Sequence, residues 1–245
     1  MANKKIRMAT AAETNAERSH MIAANMNFAA SEAYKLLRTN LMFSFSDSEH
    51  CHVVGMTSSY RGEGKSLTSI NLAYTLAETG KEVLLIEGDM RLPTLSGRLQ
   101  LKPSPGLSNL LVGMNSVSEA FQIFSVPLEE KEIKVNVMVS GDIPPNPSEL
   151  LGSKRMESLM GVLRKHYDYI ILDLPPVTMV TDALVASKLV DGIVVVVRSN
   201  HAVQGALAET IRQLKLVDAR ILGFAFNGST DAGGGYYKGK GYYKK

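Results

Sequence analysis

The segment Ser59-Tyr-Arg-Gly-Glu-Gly-Lys65-Ser66 constrains the fold more than any other part of the chain. An apolar run, HVVGMTS, precedes it, and a helix-forming stretch, KSLTSINLAYTLAETG, follows it. Glycines in such a turn let consecutive backbone N–H groups point inward at phosphate oxygens, and the helix start adds its positive dipole end. Strand, glycine loop, Lys-Ser and helix together read as a phosphate-binding loop. Lys65 is expected to neutralise the β- and γ-phosphates of a nucleotide, and the Ser66 hydroxyl to ligate Mg²⁺.

The rest of the chain alternates in the same way. KEVLLIEGD, DYIILDLPP and DGIVVVVRS are short, nearly continuous apolar runs of the kind found in strands covered on both faces. ARILGFAFN reads as a last strand. Between them lie helical patterns: SELLGSKRMESLMGVLRKHY, DALVASKLV and AVQGALAETIRQLKLV. Alternation of this kind predicts an α/β fold, a mainly parallel sheet with helices on both faces. Upstream, SEAYKLLRTNLMFS has helical spacing with Ser31 as its expected N-cap, and Gly80 suits the C-terminal end of the helix after the loop. From Met90 to Gly141 the pattern loosens into loops and short helices (GLSNLLVG, SVSEAFQ), then a strand, KVNVMVSG. The expected organisation is a polar, flexible arm over 1–28, one domain over 29–229, and a tail over 230–245.

Two acidic strand ends complete the phosphate site. Asp173 closes the run Tyr169 to Leu172, where a carboxylate would hold the Mg²⁺ shell. Glu87 and Asp89 follow VLLI, and acids spaced by one residue point the same way from an extended chain. Such a pair can put one carboxylate near the metal and the other near an incoming hydroxyl. Asn227, after the last strand, suits either an adenine contact or a plain turn. Asp182 and Arg198, at element ends, suit structural pairing or a place near the phosphates.

Composition excludes several classes. A content of 45% hydrophobic and 21% charged residues rules out disordered and collagen-like chains. One cysteine, Cys51, permits no internal disulfide. Its neighbours His50 and His52 face opposite to it on a strand, and with no further ligands nearby metal binding there is not expected. No apolar run approaches the ~20 residues of a membrane helix, and the N-terminus carries no secretory pattern, so a cytoplasmic location is expected. Four of the nine tyrosines fall in the last ten residues, within a stretch of Gly, Tyr and Lys only. That stretch holds four lysines and no acid, more than the whole net charge of +3, so the body of the chain is slightly acidic and no nucleic-acid partner is expected.

These residues resemble the bacterial protein tyrosine kinases that carry P-loop motifs and accompany polysaccharide export. The similarity spans roughly 30–227. SSYRGEGKS resembles their Walker A, VLLIEGDMR their A′ motif, YIILDLPP their Walker B, and GDIPPNPSELL a loop they carry. Glu32-x-x-Lys35-x-x-Arg38 is similar to their E-x-x-R-x-x-R helix, which implies a homo-oligomer, a closed ring among the arrangements open to it. The resemblance implies a P-loop NTPase-like fold and ATP with Mg²⁺ as cofactors. It places ATP on Ser59, Arg61, Gly62, Glu63, Gly64, Lys65, Ser66, Leu67 and Asn227, and Mg²⁺ on Ser66, Asp89 and Asp173. The catalytic set it implies is Lys65, Glu87, Asp89 and Asp173, with Glu87 as the base where the family pattern has Asp. It also implies autophosphorylation in trans at Tyr236, Tyr237, Tyr242 and Tyr243, and control of exopolysaccharide or capsule production. Its implied partners are a tyrosine phosphatase and a membrane adaptor of the polysaccharide chain-length-determinant type. The adaptor would activate the kinase and recruit it to the inner face of the membrane.

Two other readings share parts of this pattern. A Min/Par-type partitioning ATPase has the same loop and layout, but carries a lysine five residues before the P-loop lysine, where this chain has Tyr60. A nucleotide-gated assembly factor would use the tail only as a docking tag.

Overall fold

The computed structural model describes residues 26–45, 50–128 and 131–228. The expected arm, apart from its last residues, and the expected tail lie outside them. Each apolar run forms a strand: β1 (His52–Ser58), β2 (Val83–Glu87), β5 (Tyr169–Asp173), β6 (Gly192–Arg198) and β7 (Ile221–Asn227). With β3 (Gln122–Leu128) and β4 (Lys131–Met138) they make one seven-stranded sheet in the order β3-β4-β2-β5-β1-β6-β7. Every pairing is parallel except β3 with β4. Strands β1, β2 and β5 are buried almost throughout, as their unbroken apolar runs require.

Helices cover both faces. On one lie α1 (Phe28–Ser44), α2 (Lys65–Glu78) and α3 (Leu95–Leu99), closing over Val54, Met56, Leu85, Ile171 and Val196. On the other lie α4 (Leu107–Leu111), α5 (Pro147–Leu151), α6 (Lys154–Leu163), α7 (Asp182–Ala186) and α8 (Gln204–Leu216), with a 3₁₀ turn at Ser187–Leu189. That face buries Val53, Leu84, Ile86, Ile170, Leu172, Val195 and Val197. Strict alternation of neighbours between the two faces is the period-2 signature of strands buried on both sides.

Three local expectations change. The first helix is capped by Asn27, whose Oδ1 accepts the Ala30 N–H at 2.9 Å, so Ser31 lies inside the helix and not at its cap. The stretch SVSEAFQ forms turns, and the following QIFSVPL is an antiparallel edge strand, β3. Its Pro127, which lacks an N–H, is tolerated because an edge strand leaves one side unpaired. The long pattern 148–167 is broken at Gly152, after which the Ser153 hydroxyl accepts the Met156 N–H at 3.2 Å and starts α6. Gly80 does end α2, at φ +82°.

Candidate active site

The C-terminal ends of β1, β2, β5, β6 and β7 come out at one edge of the sheet, where open parallel sheets place their ligands. Register sets the acids beside one another: Asp173 is level with Met56 on one side and with Glu87 on the other. A cleft of about 510 Å³ opens at this edge. Of the expected nucleotide residues, Arg61, Gly62, Gly64, Lys65, Ser66, Leu67 and Asn227 line it, together with Asp89. Ser59 and Glu63 do not.

Both of those residues shape the loop from behind. The Ser59 Oγ accepts from the Thr210 hydroxyl at 3.0 Å, and Thr178 donates to the Ser59 carbonyl. Buried Glu63 turns Oε2 back to the Tyr60 N–H at 2.8 Å, stapling the curl. Further contacts fix the outer side: Arg198 donates to the Gly62 carbonyl at 3.0 Å and Asn227 Nδ2 to the Glu63 carbonyl at 3.2 Å. Gly62 and Gly64 adopt φ of +82° and +92°, and a Cβ on Gly64 would fall 1.8 Å from Asn227 Nδ2. Only glycine fits there, for its dihedral and for the close approach of Asn227.

Three charged side chains meet at the foot of the loop. Lys65 Nζ lies 3.0 Å from Asp89 Oδ2, 3.9 Å from Asp173 Oδ1 and 3.5 Å from Ser66 Oγ. Burial opposes the charge of the Lys65 ammonium, but Asp173 and Asp89 outweigh it and hold the pKa above the usual lysine value. Asp173 is fully buried; burial raises its pKa, while Lys65 and the Ser66 and Ser69 hydroxyls pull the other way. Its Oδ1 accepts from Ser69 Oγ at 3.1 Å, whereas Oδ2 has no hydrogen-bond partner among the described residues. An unpaired buried carboxylate oxygen is costly. Beside the Ser66 hydroxyl, it suits a hard divalent cation that brings its own waters and phosphate oxygens. The donors present therefore fit Mg²⁺. No group of three or more His, Cys, Asp or Glu side chains gathers as a metal site among the described residues.

Glu87 departs from its expected place. It is fully buried, is not part of the cleft lining, and accepts three backbone N–H groups. Oε1 takes those of Thr94 and Leu95, the latter at 2.7 Å, and Oε2 takes that of Ser140 at 3.1 Å. Both oxygens are committed, so the carboxylate does not face an incoming hydroxyl. Burial pushes its pKa up, and the three N–H donors oppose this.

Asp182 pairs structurally. Its buried carboxylate takes Nε and an Nη of Arg91 at 2.9 and 3.0 Å and the hydroxyl of Ser148. The side chains of the A′ segment, the 141–148 loop and α7 are thereby joined. Arg198 lines the cleft, as do Leu92, Thr94 and Arg98, which sequence reasoning missed. Arg98 and Thr94 belong to the short α3 and the residue before it, in the stretch where periodicity gave no signal. On α1, Glu32 and Lys35 pair with each other at 2.9 Å on the surface. Arg38 instead turns inward, donating to the Thr75 carbonyl at 2.8 Å and to Glu78 at 3.3 Å. Tyr236, Tyr237, Tyr242 and Tyr243 lie outside the described residues. No helix among those described is long and apolar enough to cross a membrane.

Comparison with known proteins agrees with this geometry. Residues 51–222 match a family model described as an AAA domain. Over 210 residues the chain is 37% identical to the tyrosine-protein kinase YwqD of Bacillus subtilis, covering 84% of this chain and 86% of that one. The kinase domain of Escherichia coli tyrosine kinase ETK superposes with a TM-score of 0.75 at 28% identity, over 88% of this chain and 80% of that domain. The septum site-determining protein MinD of Pyrococcus horikoshii, solved with Mg-ADP, is similar in fold alone: TM-score 0.58, 22% identity, 71% of this chain and 69% of that one. Alignment over most of both chains, with the loop, the paired acids and Asp173 at one sheet edge, places this protein in the family of bacterial tyrosine-protein kinases.

Proposed function

We propose that the chain transfers the γ-phosphoryl group of ATP to tyrosine, and that its own tail tyrosines, Tyr236, Tyr237, Tyr242 and Tyr243, are acceptors in trans. The observation that carries this reading is the cluster of Lys65, Ser66 and Asp89 lining a glycine-edged cleft, with buried Asp173 behind Lys65. Phosphoryl transfer is mostly positioning and charge neutralisation. The loop amides and Lys65 would hold the phosphates, and Asn227, which lines the cleft, would meet the base. Ser66 and Asp173 would hold Mg²⁺, with Asp89 near its shell, where the ion would supply charge neutralisation to the phosphates.

When Lys65 turns to the phosphates it leaves Asp89 Oδ2, which then faces the cleft. The tyrosine oxygen bonds to the γ-phosphorus as the bond to the β,γ-bridging oxygen breaks. ADP departs with that electron pair, and the phenolic proton passes to Asp89. A phenol with an unperturbed pKa of about 10 needs only a late acceptor for this proton. Lysines beside the tail tyrosines are drawn to an acidic, phosphate-loaded cleft.

By the same reading the protein is cytoplasmic, self-associates, and works at the membrane through a polysaccharide chain-length-determinant type adaptor, in capsule or exopolysaccharide production, with a tyrosine phosphatase resetting it. The test is a phosphotyrosine blot of the purified chain with Mg·ATP, beside a chain in which the four tail tyrosines are Phe. Label on the first and little on the second is expected; ATP hydrolysis without any phosphotyrosine would return the protein to the partitioning ATPases.

A further inference from the structure

We infer that Glu87 is a positioning residue that staples the α3 wall of the nucleotide cleft, and that it is not the proton acceptor of the reaction. The inference deepens the kinase reading and rests on it. Glu87 sits at the last position of β2 with no exposed surface, and its oxygens are divided between two separate pieces of chain. Oε1 receives the first free amides of α3, those of Thr94 and Leu95. No side chain caps α3 from the N-cap position itself, so Glu87 satisfies donors that would otherwise be orphaned in the interior. Oε2 receives the Ser140 N–H, at the start of the 141–148 loop.

What hangs on this staple is the cleft. Leu95 and Leu99 of α3 are buried, and the same short helix brings Arg98, with Thr94 at its N-cap, to the cleft that the glycine loop also lines. A carboxylate one methylene shorter would end about 1.5 Å nearer β2 and would not span both sets of amides. The extra methylene of glutamate is thus the length that the helix requires. Asp89, two residues on, lines the cleft; its Oδ1 takes the Leu92 N–H and its Oδ2 is held, among the described residues, only by the Lys65 side chain, so the acid with access to a substrate is Asp89. The two carboxylates of the segment divide the work: one builds the wall and the other reaches the reacting atoms.

The test separates binding from turnover in the full chain with Mg·ATP and a fluorescent ADP analogue. Glu87→Gln keeps an oxygen for the α3 amides but sets its NH2 group against the Ser140 N–H, so ADP binding should weaken by a few-fold while kcat stays within about threefold of wild type. Glu87→Asp should weaken ADP binding and raise KM for ATP by about tenfold, because affinity falls with the fraction of molecules in which α3 is docked. The reverse order overturns the inference: Glu87→Gln losing 100-fold or more in kcat at unchanged ADP affinity, with Glu87→Asp active, is the behaviour of a proton acceptor. Two variants that both match wild type overturn it as well. If either fails to fold, Arg98→Ala, on the surface of α3, decides. Weaker ADP binding by about fivefold or more supports the wall, and wild-type binding removes it. A wild-type chain that binds ADP and yields no phosphotyrosine overturns the kinase reading alone, because the ADP arms still report on the wall.

Discussion

Replacing Arg91 by methionine should destabilise the protein by about 2 kcal/mol, because it strands a buried carboxylate. The Asp182 side chain is 0% exposed and is held by two guanidinium bonds, at 2.9 and 3.0 Å, and by the Ser148 hydroxyl. Breaking a fully buried ion pair from one side costs roughly 3–5 kcal/mol. Arg91, however, is 39% exposed, so water screens part of the attraction, and Ser148 stays in place after the substitution. Both effects lower the figure to about 2 kcal/mol, or a fall of about 4–8 °C in Tm for a chain of this size. Arg91→Lys should recover less than half of it, since an ammonium cannot make the planar two-bond contact. The double variant Arg91→Met/Asp182→Asn should be more stable than Arg91→Met alone, because the stranded charge is gone. Thermal melts by circular dichroism measure all of this. Arg91→Met within about 1 °C of wild type, or a double variant no better than the single one, would show that Arg91 does not compensate the buried Asp182 charge.

Gly64→Ala should abolish binding of a fluorescent ADP analogue, since the new methyl group meets Asn227 at φ +92°; near-normal affinity would show that the loop is not held as described. Asp173→Asn should raise the Tm of the nucleotide-free protein at neutral pH. The folded-state pKa of Asp173 is raised by burial, so the cost of its charge is absent below the ordinary carboxylate range of about 4 and grows as pH rises through the raised value. The gain should therefore shrink on acidification, while stabilisation by Mg·ADP over ADP alone should be lost; an Asn variant less stable than wild type at pH 7 would contradict this. Glu32→Ala with Lys35→Ala removes the exposed pair of α1 without touching the Arg38 contacts to α2. Its mass by light scattering should fall towards the monomer, and unchanged mass would remove this face from the assembly.

The parts of the fold that could be read from the sequence were those with strong local signals. Glycines 62 and 64, the unbroken apolar strands and the strand-end acids each announce themselves within a few residues. Strand β3 did not, because an edge strand with Pro127 and half-exposed residues carries neither an unbroken run nor a clean alternation. Ser31 looked like a cap because its type suits one, but Asn27 suits it equally and lies where the chain enters the helix. At the site, sequence gave the acids but not their partners. Glu87 finds its hydrogen bonds seven, eight and fifty-three residues away, and Arg38 finds Thr75 thirty-seven residues on. Such commitments arise only when the sheet assembles, and they decide which carboxylate is available for chemistry. Thr94 and Arg98 joined the cleft for the same reason, through a helix too short to leave a period.

The most direct test of the account mixes two chains with Mg·ATP: Lys65→Ala with its tail intact, and an otherwise wild-type chain whose four tail tyrosines are Phe. Phosphotyrosine should appear on the Lys65→Ala chain only, at a rate that rises with the concentration of its partner. A wild-type chain that labels itself while neither member of the mixture gains phosphate would contradict transfer between subunits, and no label in any of these samples would contradict the kinase itself.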